Sequence, residues 1–203
     1  ELGLVADPLP PYLVTSTREL PAGDLSRAAA LAEACDRFYT SGRAMAWFLA
    51  ALRPLKARPA AFLRGYAAWL AARGAGASPG SGFDPRAIQA EQLGFLGEQY
   101  RAAGLESLLP VLNDLVRLHT AWGLALAEGE ESLLDLSYDP EEVLGAAGSG
   151  LAAYVRSASV SRAAWRVLPD EEEGARLERT APTRPQGSQA TRKTATPRDR
   201  KAK

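Results

Sequence analysis

Apolar residues that recur every three or four positions, in runs stopped by Pro or Gly, constrain this chain more than any other feature. Leu25, Ala28, Leu31, Ala32, Cys35, Phe38 and Tyr39 cover one face of a helix, and Asp24 stands where an N-cap belongs. After Ser41 and Gly42 a second run, Ala44 to Arg53, puts Met45, Phe48, Leu49 and Leu52 on its face and is expected to stop before Pro54. Pro59 opens a third helix at the first-turn position, where its missing N–H leaves nothing unsatisfied; Phe62, Leu63, Tyr66, Trp69 and Leu70 form the stripe. Pro85 to Ala103 and Leu105 to Glu128 read as longer helices broken at Gly104, with Pro110 either tolerated in an early turn or delaying the second start. A chain patterned this way is expected to fold as a mostly α-helical, bundle-like domain.

The ends read differently. Residues 1–23 carry Pro8, Pro10, Pro11 and Pro21 around the β-prone run "YLVTST", which predicts an extended connector that needs a surface to lie on. The helical domain is expected over residues 24–169, interrupted by the flexible-loop composition "GAGASPGSG" at Gly74 to Gly82. "LLDLSYDP" (Leu133 to Pro140) and "AAWRVLP" (Ala163 to Pro169) are short apolar runs that fit strand or helix; as strands they would pair in one short β-hairpin within residues 133–168. Residues 170–203, acidic through Glu171 to Glu173 and then basic, offer almost nothing apolar to bury and are expected to be a disordered tail.

Composition narrows the function classes. Of 203 residues, 46% are hydrophobic, enough for one domain with a sizeable core. The 24 basic residues balance the 24 acidic ones, so total charge points to no nucleic-acid or membrane-surface partner. After Thr180 the chain is basic, but without interleaved aromatics that stretch predicts no specific nucleic-acid site. A single Cys cannot close an internal disulfide and no apolar run reaches bilayer length, which fits a reducing, cytoplasmic setting. The opening "ELGLVADPLPPY" lacks the basic and apolar regions of a signal peptide and reads as the middle of something longer or as a processed product.

The residue inventory predicts no catalytic residue and no metal site. Cys35 alone cannot ligate an iron–sulfur cluster and lies on an apolar stripe, as a core thiol does. His119, also the only one of its kind, falls on the stripe of Leu112, Leu115, Trp122 and Leu126. The paired acids Glu130–Glu131 and Glu141–Glu142 suit a solvated face, and the glycines after Gly74 match no phosphate loop. The break at Ser41 and Gly42 is the remaining irregularity. It is expected to be a corner in which Gly42 takes a positive φ, Ser41 adds a local side-chain hydrogen bond and Arg43 begins the next helix.

"DPLPPYLVTSTRELPAGDL" (Asp7 to Leu25), "DRFYTSGRAMAWF" and "PAAFLRGYAAWL" together resemble the C-terminal domain of unknown function carried by cobalamin-binding radical SAM proteins. The matching positions are Pro10, Pro11 and Tyr12, then Thr40, Ser41, Gly42 and Arg43, then Trp69 and Leu70; the likeness covers roughly the first 75 residues. Thr40, Ala44 and Leu13 depart from the Asn, Phe and acidic residue that pattern carries. The Cys-x-x-x-Cys-x-x-Cys motif is absent from this chain.

The resemblance implies an accessory domain that braces or covers a preceding radical SAM barrel without catalysing alone. The parent protein would use a 4Fe-4S cluster, S-adenosylmethionine and cobalamin, none of them held by this chain. Tyr12 and Arg43 would be contacts to barrel or substrate. Two alternatives stay open: an independent helical adaptor that docks a partner through an apolar groove, and a small ligand-binding domain built around Arg43 and His119.

Overall fold

A computed structural model describes residues 3–10, 12–74 and 84–180. The chain begins with two short antiparallel strands, β1 (Val5–Ala6) and β2 (Val14–Ser16). Helix α1 (Ala22–Cys35) continues directly into a π-helical turn, Asp36–Thr40, and the chain then bends through residues 41–47. Helices α2 (Phe48–Leu55), α3 (Pro59–Ala72), α4 (Pro85–Ala102) and α5 (Leu109–Glu128) follow, the last preceded by a 3₁₀ turn at Glu106–Leu108. Strand β3 (Ser132–Leu136) leads to helices α6 (Pro140–Ser149) and α7 (Leu151–Ser157), and strands β4 (Ala163–Asp170) and β5 (Gly174–Arg179) complete the described chain.

The molecule is mostly helical, with α5 at its centre. One side of α5 buries Val111, Leu112, Leu115, Val116 and Leu118 completely. Helix α4 packs along it, and the three-stranded antiparallel sheet, in the order β3-β4-β5, closes another flank with Leu136, Val167 and Ala175. An aromatic cluster fills the other end of the core: Phe38 meets Trp47, Phe48, Phe62 and Tyr66 edge-on at centroid distances of 4.9–5.8 Å. Such edge-to-face contacts add to the burial of rings already removed from water.

Several details differ from the sequence reading. Helix α1 starts at Ala22 behind Pro21, so Asp24 lies inside the first turn and pairs with Arg27 instead of capping. Residues 44–47 form turns rather than helix, α2 runs through Pro54 to Leu55, and Met45 and Leu49 face solvent while Phe48 and Leu52 are buried. Pro54 sits in the last turn, where ring and missing N–H disturb little of the helix that precedes it.

The two ambiguous runs do pair as strands, Leu133 opposite Arg166 and Leu136 opposite Ala163, but α6 and α7 lie between them, so this is no tight hairpin. Residues 174–179, placed in the tail by composition, are a third strand whose Ala175 is fully buried. The rest of the expected tail, 181–203, residues 75–83, which include all but Gly74 of the loop expected over Gly74 to Gly82, and Pro11 lie outside the described residues.

Candidate functional site

The corner between α1 and α2 holds Thr40, Ser41, Gly42 and Arg43, and it is built around Phe38. The π-helical turn widens the helix by one residue, which turns the Phe38 ring into the aromatic cluster while keeping Arg37 and Tyr39 at its margins. Arg37 lies over Glu91 of α4 in a bidentate pair, Nε to Oε2 at 2.7 Å and Nη2 to Oε1 at 2.5 Å. The Tyr66 hydroxyl donates to the same Oε2 at 3.1 Å. The hydrogen bonds from Arg37 to Glu91 hold that guanidinium even more firmly charged than usual, and burial drives the Tyr66 hydroxyl well above its ordinary value.

Gly42 is required by space, not by conformation. Its φ stays outside the left-handed region, while a Cβ placed on it would lie 2.3 Å from the Phe38 carbonyl oxygen, 2.6 Å from that of Arg37 and 2.4 Å from Nε2 of Gln92. Fully buried Gln92, on α4, uses that amide nitrogen to donate to the carbonyls of Phe38 and Gly42, both at 2.8 Å. One side chain thereby satisfies two backbone acceptors that the irregular corner cannot satisfy itself. Ser41 contributes its backbone N–H to the Asp36 carbonyl at 2.7 Å and only long hydroxyl contacts, 3.4 Å, to the Asp36 carboxylate.

The left-handed residue is Arg43, at φ 53°, so it ends the corner and does not begin a helix. Its side chain runs across α5, where Gly123 leaves room: a Cβ there would approach Arg43 Cδ at 2.6 Å. The guanidinium pairs with Glu128 at 2.5 Å. Three buried polar atoms along this corner, Arg43 Nη1, Trp47 Nε1 and Gln92 Oε1, have no hydrogen-bond partner among the described residues. Arg43 is thus committed to α5 rather than extended outward.

Tyr12 lies elsewhere, in the turn between β1 and β2, with φ 52°, its N–H bonded to the Leu9 carbonyl at 2.9 Å and 63% of the residue exposed. Among the described residues no hydrogen bond or ion pair joins it to Arg43. The N-terminal strands touch α1 but leave Leu4, Val5, Leu9, Leu13, Val14 and Leu20 facing solvent.

The other residues weighed for chemistry make contacts within the domain. Cys35 is half-buried against the core, and burial pushes the His119 imidazole down toward its neutral form. Glu131 forms a bidentate pair with Arg166, 2.7 Å at each contact, Glu130 pairs with Arg86, and Glu142 accepts from the Tyr154 hydroxyl. Among the described residues no group of three or more His, Cys, Asp or Glu could hold a metal ion, and no helix is long and apolar enough to cross a membrane.

Gln92 and Glu91 left no signal in the sequence, because a Gln and a Glu on a helix give no sign of serving carbonyls and a guanidinium some fifty positions away. Comparison of the chain with family models, with curated proteins and with solved structures finds no match in any of the three.

Proposed function

We propose that this chain is a non-catalytic accessory domain that acts in the cytoplasm by docking, through its N-terminal strands, onto a cobalamin-dependent radical SAM barrel. The observation that carries the reading is the row of exposed apolar side chains at Leu4, Val5, Leu9, Tyr12, Leu13, Val14 and Leu20. Strands of two and three residues cannot stabilise themselves in water, and a short sheet whose apolar side chains stay wet calls for a covering surface. The barrel as partner rests on the resemblance of residues 7–25 to the segment that leaves such a barrel. Cofactors belong to that partner, and the corner at Arg37 to Arg43 serves to fix α1, and with it the docking strands, against α4 and α5.

A photo-cross-linker placed at Tyr12 in the full gene product, and in parallel at the exposed Met45 on the corner, tests this in the native host. Cross-links from position 12 should land on a polypeptide containing Cys-x-x-x-Cys-x-x-Cys, whether in the same chain or another, and those from position 45 should not. Cross-links from position 12 to a protein without that motif would replace this reading with the adaptor one.

A further inference from the structure

A cleft of about 280 Å³ lies between α4, α5 and the start of β3, lined by both polar and apolar groups. Its floor is made by Ala121 and Leu124, both buried, and by Leu134; Thr120 and Ser132 bring hydroxyls, and Arg86 and Arg117 bring guanidinium groups. The charges on this wall are not equivalent. Arg86 is held by Glu130 at 2.6 Å, and Glu131, the acid lining the cleft, is held by Arg166. Arg117 is exposed and makes no hydrogen bond or ion pair with any described residue. It influences the buried Asp114 carboxylate electrostatically but does not bond to it.

Pairing within the wall therefore leaves one guanidinium, that of Arg117, without a hydrogen-bonded acid beside the Ser132 hydroxyl and the apolar floor, while the Thr120 hydroxyl donates to the Val116 carbonyl at 3.0 Å. The geometry points to a binding site for a small organic monocarboxylate, its carboxylate on Arg117 and the hydroxyl of Ser132, its apolar body against Leu124 and Leu134. A planar guanidinium fits a carboxylate in a two-point contact, and the volume is at the small end of ligand pockets. A dianion such as phosphate suits the wall less well, since Glu131 lines the same cleft. The site stands apart from the N-terminal strands and does not depend on what they dock against.

Titration of the isotope-labelled full chain with sodium benzoate at constant ionic strength, read by amide chemical shifts, tests the assignment. Saturable shifts at Thr120, Ala121 and Ser132 with a Kd below about 1 mM are expected, corresponding to about 4 kcal/mol of binding. Arg117→Gln should weaken binding at least tenfold and Arg117→Lys should restore part of it; neither should alter the fold, because Arg117 is exposed. Neutral benzamide and inorganic phosphate should each bind at least tenfold more weakly than benzoate. Linear shifts that sodium chloride reproduces, equal affinity for benzamide, or an Arg117→Gln variant that binds like the parent would each overturn the proposal, as would phosphate binding as tightly as benzoate.

Discussion

The corner after α1 and the strands before it are both short and irregular, yet they are built on opposite terms. At the corner Phe38 is fully enclosed by four aromatic rings, Gly42 has no room for a methyl group and Gln92 crosses from α4 to take up two carbonyls. At the N-terminal strands the apolar side chains point into water and two or three residues per strand carry the pairing. The contrast teaches that irregular backbone can be held from within or left with its side chains in water. Residues at the corner are fixed by the interior of this domain, whereas the apolar side chains of the strands face solvent.

The sharpest break of that contrast would come from Phe38→Ala, which empties the centre of the aromatic cluster. A loss of about 3–5 kcal/mol in urea-induced unfolding is expected. A loss comparable to a surface substitution would mean that the corner is no more constrained than the strands. Gly42→Ala and Gly42→Asn come next, each costing on the order of 1–3 kcal/mol because the added Cβ strikes backbone oxygens. The pair is informative, since Asn tolerates a left-handed φ and would be spared if conformation rather than crowding made glycine necessary.

Asp114 offers an intermediate case, a buried polar anchor outside the corner. Its Oδ2 accepts from the N–H groups of Ser137 and Tyr138 at 2.7 and 3.1 Å and so holds the turn from β3 into α6. Burial pushes this carboxyl up to about 6 from an ordinary 3.8, so the folded state takes up the proton more readily than the unfolded chain. The stabilisation from this group is complete below about pH 4 and is lost as pH rises through 6, a change of about 1–2 kcal/mol. Asp114→Asn, which keeps an acceptor for both N–H groups, should remove that slope from stability measured between pH 4 and 7. An unchanged slope would assign the pH dependence to other groups.

The smallest effect is expected at the strands themselves. Tyr12→Ser and Leu13→Ser should leave unfolding within about 0.5 kcal/mol of the parent, because both side chains are already solvated. Leu13→Ser, combined with the cross-linker at position 12, should lose the partner cross-link described above. A large destabilisation would show these side chains to be part of this domain's own core and would erase the distinction between the two regions.

Legibility in the sequence follows the same division between local and distant causes. Helix α3 could be read directly: Pro59 at its start and Phe62, Leu63, Tyr66 and Leu70 on one face are local signals, and all four are buried. Helices α4 and α5 behave alike, with Pro110 at the start of α5 preceded by the 3₁₀ turn. The Asp139–Pro140 pair marks the start of α6 as clearly as Asp84–Pro85 marks α4, each Asp accepting from a backbone N–H two residues on, so this helix had a usable signal. Strand β5 had a weaker one in the alternation of Ala175 and Leu177 with charged neighbours.

At the corner, glycine announced that something special was needed but not which kind of need. Crowding depends on Gln92, fifty positions away, and on the π-helical turn, neither of which leaves a mark near Gly42. Arg43 was expected to begin a helix and instead takes a left-handed φ, its side chain laid across α5 in the space left by Gly123.

The placement of the sheet bears on how the chain comes off the ribosome. Strand β3 finds its partner β4 only after residues 137–162 have been made, and β4 in turn pairs with β5 through the short turn at residues 171–173. Until then the flank of α5 that receives Val167 and Ala175 has nothing to cover it. A nascent chain ending before residue 179 consequently carries a finished helical half and an open apolar flank, so synthesis that stalls in this stretch leaves an aggregation-prone intermediate for which a chaperone would be needed.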